Sequence, residues 1–168
     1  MPRKIYNKAS QRDEFFAPAG GVTCHLESMY SKYFENWEIR PEYKKEFVSL
    51  WSGWLGKESL HKLDEVTKED WSRFNNWIQL LVKEYKLLVV DRNSESTSEV
   101  KNVETIISAY EESMDKDSSQ FTQFIIPELE CVITEDWDYT YIIWYKDKSV
   151  IKTLSTLINK AGLEHFHD

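Results

Sequence analysis

The segment Glu130–Lys160, ECVITEDWDYTYIIWYKDKSVIKTLSTLINK, decides the predicted fold class. Residues 130–134 and 139–146 are rich in aromatic and β-branched side chains, which favour a half-buried strand over a helix. Both faces of the second run carry large apolar groups, as is typical of an inner strand. Because Asp tolerates left-handed backbone angles, Asp136 and Asp138 predict a short turn between the two strands.

An amphipathic helix is predicted directly after this hairpin. Apolar residues recur at helical spacing from Val150 to Ala161, and Asp147 stands at the expected N-cap. Gly162 occupies the position of a C′ glycine, and Leu163 follows where it folds back on the last turn. The hairpin and the helix therefore predict that long-range contacts close the fold in this part of the chain.

Further amphipathic helices are predicted in the N-terminal two-thirds of the chain. Apolar periodicity indicates helices over residues 22–37, 41–55, 67–88 and 100–114, and Thr67 with Asp70 predicts a capping box. The end of the third helix stays open, because residues 87–90 also suit a short strand. Residues 121–126 are β-like, and Pro127 ends that strand or confines it to an edge.

This order of elements predicts an α+β fold, in which the helices pack on a small antiparallel sheet and a further helix follows at the C-terminus. The mainly buried side chains are expected to include Trp51, Trp71, Phe74, Ile107, Ile143 and Leu154. The length of 168 residues fits a single domain over 1–168. Residues 1–12 are interpreted as a flexible basic tail and residues 92–98 as a mobile loop.

The negative charge of the chain is concentrated in one region. The net charge is −8, and residues 91–138 hold 13 Asp or Glu against 3 Lys or Arg, a balance of −10. Such a region attracts a basic protein partner or a cation and repels phosphate backbones, so nucleic acid is not an expected partner. The alternative is a solvated acidic surface that keeps the protein soluble.

The cysteines and the apolar runs predict a cytoplasmic protein. Cys24 and Cys131 are far apart and do not make the disulfide framework of a small secreted domain. No apolar run approaches the roughly 18 residues of a membrane span, and the basic N-terminal residues include no hydrophobic signal sequence. A membrane is therefore not an expected partner.

Motifs for catalysis or metal binding are weak. His165 and His167 form one close pair, whereas zinc and iron sites need three or four converging ligands, so neither a metal nor a cofactor is predicted. Cys24 and Cys131 are interpreted as packing residues. The Gly-x-Ser-x-Gly pattern of many serine hydrolases is absent from the sequence.

The leading functional hypothesis is an intracellular interaction or inhibitor protein that binds a basic partner through an acidic, aromatic-rich surface, as immunity proteins and antitoxins do. It depends on the acidic region and on an aromatic content of 14%, including 7 Trp and 9 Tyr. The predicted partner-binding residues are Glu128, Glu135, Asp136, Trp137 and Asp138.

Trp137 is expected to be at least partly exposed at the turn; the alternative is that it folds back over the sheet edge as a structural cap. Two further hypotheses stay open. One is a small hydrolase with a carboxylate-lined pocket, with or without a divalent cation. The second is a homodimer that hides the surplus aromatic residues.

Overall fold

Strands dominate the computed structural model, which describes residues 29–168. The strands are β1 (Phe34–Glu35), β2 (Glu38–Ile39), β3 (Lys44–Ser49), β4 (Leu88–Asp91), β5 (Ser96–Glu99), β6 (Gln123–Ile126), β7 (Cys131–Asp136), β8 (Thr140–Tyr145) and β9 (Glu164–Phe166). The helices are α1 (Lys68–Glu84), α2 (Tyr110–Met114) and α3 (Ser149–Lys160), and residues 29–33 are also helical. Single 3₁₀ segments occupy Lys57–Leu63, Val103–Thr105, Ser118–Gln120 and Pro127–Leu129.

Within residues 29–168, seven strands form one sheet in the order β5-β4-β6-β7-β8-β3-β9, and every pairing in it is antiparallel. Strands β1 and β2 form a separate hairpin. The predicted α+β fold of helices packed on a small sheet is therefore wrong. The sheet is large, and the helices of the described chain are few and mostly short.

The helix predicted over residues 41–55 is replaced by β3. This segment pairs along its whole length with β8, from Lys44 opposite Tyr145 to Ser49 opposite Thr140, and its second half also pairs with β9. Its backbone hydrogen bonds thus come from segments that lie roughly a hundred residues away in sequence. Helical spacing of aromatic residues is a local signal, and here the non-local pairing overrides it.

The helix predicted over residues 100–114 is also wrong, because only Val103–Thr105 and Tyr110–Met114 are helical. Two side chains of α1 hold the intervening chain in place. The indole Nε1 of Trp71 and the amide Nδ2 of Asn75 both donate to the Ser108 carbonyl oxygen, each at 2.8 Å. A carbonyl used in this way is not available to a continuous helix.

The predicted hairpin and C-terminal helix are confirmed. Strand β8 lies between β7 and β3, as an inner strand should, and α3 follows it. Gly162 has a φ of 78°, and its N–H donates to the Asn159 carbonyl at 3.0 Å. The Leu163 N–H donates to the Ile158 carbonyl at 3.1 Å, which completes a Schellman motif. Asp147 accepts from the Ser149 N–H at 2.8 Å, although Lys148 is the N-cap.

Helix α1 confirms the predicted capping box. The Thr67 hydroxyl accepts from the Asp70 N–H at 3.2 Å, and the Asp70 carboxylate accepts from the Thr67 N–H at 3.0 Å. The helix ends at Glu84, and residues 88–91 form β4, so the strand alternative for residues 87–90 is the correct one. Residues 96–99 form β5, so only the first part of the predicted 92–98 loop is a turn.

The large sheet has two differently covered faces. We call the face under α1 and α3 the helix face; its main core residues are Phe74, Trp77, Leu81, Phe124, Ile133, Ile143 and Leu154, all fully buried. The opposite face is covered by the helical residues 29–33 and the β1–β2 hairpin, and we call it the hairpin face. Its core includes Tyr33, Phe34, Tyr43, Val90, Ile125 and Val132.

Of the six side chains predicted to be buried, four are buried and the remaining two, Trp51 and Ile107, are half-buried. Residues 29–33 confirm part of the first predicted helix, which gives way to a strand at Phe34. The predicted basic tail over residues 1–12, Cys24 and the start of that helix lie outside the described residues.

Candidate functional site

The turn between β7 and β8 projects Trp137 away from the sheet. The Asp136 carboxylate accepts a hydrogen bond from the Trp137 N–H at 2.8 Å, which fixes the start of the turn. Asp138 and Tyr139 both have a φ of 55°, in the left-handed region. Two consecutive left-handed residues turn the chain through a tight reversal without glycine, and the Trp137 side chain is left 56% exposed.

The exposure of Trp137 agrees with the prediction, and its packing also has the character of a structural cap. The ring meets Phe121 edge to face, with a centroid separation of 4.7 Å. Phe121 precedes β6, so the contact ties the turn to the neighbouring strand. Trp137 is thus supported on one side and free on the other, as an aromatic contact residue needs to be.

Trp137 stands between two cavities of the molecule. The first cavity has a volume of about 380 Å³ and lies on the hairpin face, where Trp37, Arg92, Gln123 and Trp144 help to line it. The second cavity has a volume of about 350 Å³ and lies towards the helix face, where Asp64 and Tyr139 help to line it. Phe121, Glu135, Asp136 and Trp137 line both cavities.

The second cavity combines carboxylates with aromatic walls. Asp64, Asp136 and Asp138 line it, together with Trp71, Tyr139 and Tyr141. Of the described residues that line this cavity, none is Lys, Arg or His. Burial raises the pKa of Tyr139 to about 12, and the neighbouring Tyr110 adds to the shift. The phenol therefore stays neutral at physiological pH.

The burial of Tyr141 raises its pKa well above the usual value, and the charge of Glu135 adds to that shift. Both tyrosines that line the second cavity thus stay protonated across the physiological range. The ionised groups of the cavity wall are carboxylates, so the cavity favours a cation over an anion.

Glu135 differs from its neighbours because it is buried and already paired. Its carboxylate accepts from Lys116 Nζ with both oxygens at 3.0 Å, and from the Thr122 N–H at 2.9 Å. This network ties the segment that carries Phe121 to the end of β7. Glu135 therefore holds the walls of the two cavities in place, and its charge is balanced by Lys116.

Glu128 is not brought together with the rest of the predicted site residues. It lies before β7, whereas Asp136, Trp137 and Asp138 lie at the far end of that strand. Its carboxylate accepts from the Lys86 N–H at 3.1 Å.

Several more acids of the 91–138 region are likewise engaged locally. Asp91 and Asp117 accept from nearby N–H groups in turns, and Glu99 pairs with Lys86 at 2.8 Å. Glu111 pairs with Lys68 on the surface. These carboxylates are therefore engaged by groups of the protein itself, which satisfy part of the negative charge of the region.

Sequence reasoning missed the parts of the site that come from distant segments. Trp37 lies at the tip of the β1–β2 hairpin, where Asn36 and Trp37 have φ values of 51° and 72°. The signal for this turn is Asn36, since Asn adopts left-handed angles readily, but the apolar periodicity of the flanks indicates a helix. Arg92, Gln123 and Asp64 have no comparable signal, because only the tertiary fold places them near Trp137.

The histidine pair lies at the edge of the sheet that β9 forms. His165, in β9, approaches Glu46 of β3 with a separation of 2.7 Å between Nδ1 and Oε1. Nδ1 of His167 lies 2.9 Å from the Lys45 carbonyl oxygen, to which it donates. In residues 29–168, no group of three or more His, Cys, Asp or Glu side chains is arranged to hold a metal ion.

Within the same residues, no helix has the length and apolar character needed to cross a membrane. Comparison with known proteins finds no match to a family model, to a curated protein or to a solved structure.

Proposed function

We propose that this protein binds a basic protein partner through the β7–β8 turn, with Trp137 as the aromatic contact residue and the second cavity as the receptor for a cationic side chain. The observation that carries the proposal is the position of Trp137, 56% exposed beside a cavity lined by Asp64, Asp136 and Asp138. An intracellular inhibitor, such as an immunity protein or antitoxin, is the class of function that this surface fits.

The energetics of such a contact divide between two kinds of side chain. Exposed carboxylates steer a basic partner and contribute little affinity each, about 0.2–1 kcal/mol for a surface pair. A supported Trp contributes more, because burying its free face removes a large apolar area from water. A cation that enters the second cavity also meets the aromatic faces of Trp137 and Tyr139, which attract it further.

A cytoplasmic location is part of the proposal. Cys131 is a free, buried thiol in β7, and burial raises its pKa to about 12. Such a thiol stays protonated and unreactive, which suits a packing residue in a reducing compartment.

The proposal is tested with immobilised peptides of one length and matched hydropathy, whose net charge is positive, zero or negative. We expect the protein to retain the basic peptides selectively at low salt, and the double variant Asp64→Asn/Asp138→Asn to lose about tenfold in affinity for them. Neither carboxylate has a hydrogen bond among those of the described residues, so the charges are removed with little effect on the fold.

Glu104→Gln is the matched control, because Glu104 is an exposed acid on the 3₁₀ segment Val103–Thr105, away from both cavities. It removes one surface charge and should leave peptide binding unchanged. Equal retention of basic and acidic peptides, or an equal loss in the control and in the double variant, would reject the proposal.

The hydrolase hypothesis keeps one supporting observation, the three Asp side chains that share the second cavity. It predicts turnover of an ester, amide or phosphate substrate that falls when Asp138 is changed to Asn. An assay of a hydrolase substrate panel with wild type and Asp138→Asn separates the two functions, since the binding function predicts no turnover by either protein.

A further inference from the structure

The walls of the first cavity include two buried polar atoms that lack hydrogen-bond partners within residues 29–168. Gln123 lies in β6 with only 7% of its surface exposed, and in the described part of the chain its Oε1 atom has no hydrogen-bond partner. Nε of Arg92 is buried and also lacks a partner there. Both side chains line the first cavity. A buried acceptor and a buried donor in the lining of one cavity are thus left unpaired within the described residues.

Unpaired buried polar groups are costly, so their presence in the walls of one cavity calls for a partner that residues 29–168 do not supply. A ligand that satisfies both atoms presents an N–H to Gln123 and a carbonyl oxygen to Arg92. A peptide main chain offers these two groups at every residue. The aromatic side chains Trp37, Trp137 and Trp144 around the cavity supply apolar contact for the adjoining side chains of such a peptide.

The three cavities share lining residues. Arg92, Phe121 and Gln123 line both the first cavity and a third one, of about 470 Å³, beside the β4–β5 turn. Asp136 and Trp137 line both the first cavity and the second. Phe121 lines all three cavities, so they adjoin one another around its side chain. A chain-like ligand can occupy more than one of these adjoining cavities, whereas a compact ligand occupies one.

We infer that an extended segment of the basic partner runs across the first cavity, with a main-chain amide held by Gln123 and Arg92 and a Lys or Arg side chain placed in the second cavity beyond Trp137. This inference rests on the proposed function for the charge of the partner. It adds which part of the partner is recognised, namely an extended main chain. It also adds two residues of this protein outside the β7–β8 turn, Gln123 and Arg92. Charge assigns the cationic side chain to the second cavity, because no Lys, Arg or His is among its described lining residues, whereas Arg92 lines the first cavity beside its carboxylates.

The probe is acetyl-Gly-Ala-Lys-Ala-Gly-amide, titrated into isotopically labelled protein and followed by NMR. Its companions are a norleucine analogue, which removes the charge, and a set of esters, each of which replaces one amide N–H by oxygen. We expect one ester to bind about tenfold more weakly than the amide, because it leaves Gln123 Oε1 unpaired in the complex. The Gln123→Met variant lacks this acceptor, so it should bind the same ester and the amide equally. The two substitutions together complete a double-mutant cycle.

Thr97→Val is the matched control. Thr97 is a buried residue of the hairpin face whose hydroxyl also lacks a partner among the described residues, but it lines none of the three cavities. Removing an unpaired buried polar atom should not lower the melting temperature in either variant. Only Gln123→Met should change the discrimination between amide and ester.

The outcomes separate the inference from the proposed function. If the norleucine analogue binds as well as the lysine peptide, the basic partner is rejected. If lysine matters but no ester depends on Gln123, the main-chain contact is rejected and the proposed function stands. Both are rejected if no peptide binds, and Gln123-dependent binding of a neutral cello-oligosaccharide instead of the peptide overturns the inference.

Discussion

The two faces of the large sheet differ in how many of their buried polar atoms lack a hydrogen-bond partner within residues 29–168. The helix face holds the largest fully buried side chains, such as Trp77, Phe74 and Leu154, packed under α1 and α3. Seven buried side-chain atoms lack a hydrogen-bond partner within residues 29–168. One of them, Trp77 Nε1, belongs to the helix face. The remaining six belong to Tyr30, Tyr33, Tyr43, Arg92, Thr97 and Gln123, on the hairpin face or at its cavities.

This difference indicates that the two faces of the sheet contribute unequally to stability and to binding. The helix face buries more of the large apolar side chains and so provides more of the free energy of folding, because apolar burial is the dominant favourable term. The hairpin face leaves more buried polar atoms unpaired and gives up some of that free energy. Such a cost is typical of a surface used for binding.

The largest expected effect comes from two adjacent isoleucines of β8. Ile143 is fully buried on the helix face, whereas Ile142 points to the hairpin face and lines the first cavity. We expect Ile143→Ala to lower the free energy of unfolding by about 4 kcal/mol, and Ile142→Ala by about 2 kcal/mol, because the second site borders space that is already empty. Denaturant unfolding measures both values. Equal losses of unfolding free energy in the two variants would contradict the proposed difference between the two faces.

A substitution of Lys116 tests how much its ion pair with Glu135, at the end of β7, contributes to stability. Its ammonium group balances the buried Glu135 carboxylate, so Lys116→Met leaves a charge without its partner and should cost about 3 kcal/mol. The matched control is Lys101→Met, since Lys101 is exposed and should change stability by less than about 0.5 kcal/mol. A loss no greater than that of the control would show that Glu135 does not depend on Lys116.

A smaller, pH-dependent effect is expected at the start of α1. The hydrogen bond from the Thr67 N–H holds the pKa of Asp70 below its usual value. A carboxylate whose pKa is lowered by folding stabilises the protein above its unfolded pKa, about 3.9, and that contribution is lost as the pH falls through the folded pKa. At neutral pH, Asp70→Asn should cost about 0.5 kcal/mol after allowance for solvent screening.

The difference between wild type and Asp70→Asn should therefore shrink in acid. Unfolding measured over a series of acidic pH values gives this trend. A difference that stays constant down to the lowest pH would mean that the Asp70 charge contributes nothing to the cap.

The parts of the fold that could be predicted are those specified by neighbouring residues. Helix α1 has its capping box within four residues, and the end of α3 is specified by Gly162 and Leu163. Strand β8 is recognisable because both of its faces are apolar. Strand β3 could not be predicted, because its partners β8 and β9 are remote in sequence and its aromatic spacing fits a helix equally well.

The candidate site was predictable to a similar extent. The turn from Asp136 to Asp138 was identified from its sequence, and the exposure of Trp137 followed from the two-sided packing of its flanking strands. Glu135 was named for its charge, but burial beside Lys116 gives it a structural role that charge alone does not reveal. Gln123 could not be identified from sequence, since an unpaired atom is defined by everything that surrounds it in the fold.

The most direct test of the central claim compares two tryptophans of nearly equal exposure. Trp137 is 56% exposed between the cavities, whereas Trp54 is 55% exposed elsewhere, where its indole N–H donates to Asp168 and its ring packs on Phe47. In a titration with a basic peptide followed by NMR, we expect the indole signal of Trp137 to shift to saturation and that of Trp54 to stay in place. A stationary Trp137 signal, or equal shifts of both, would contradict a binding function for the β7–β8 turn.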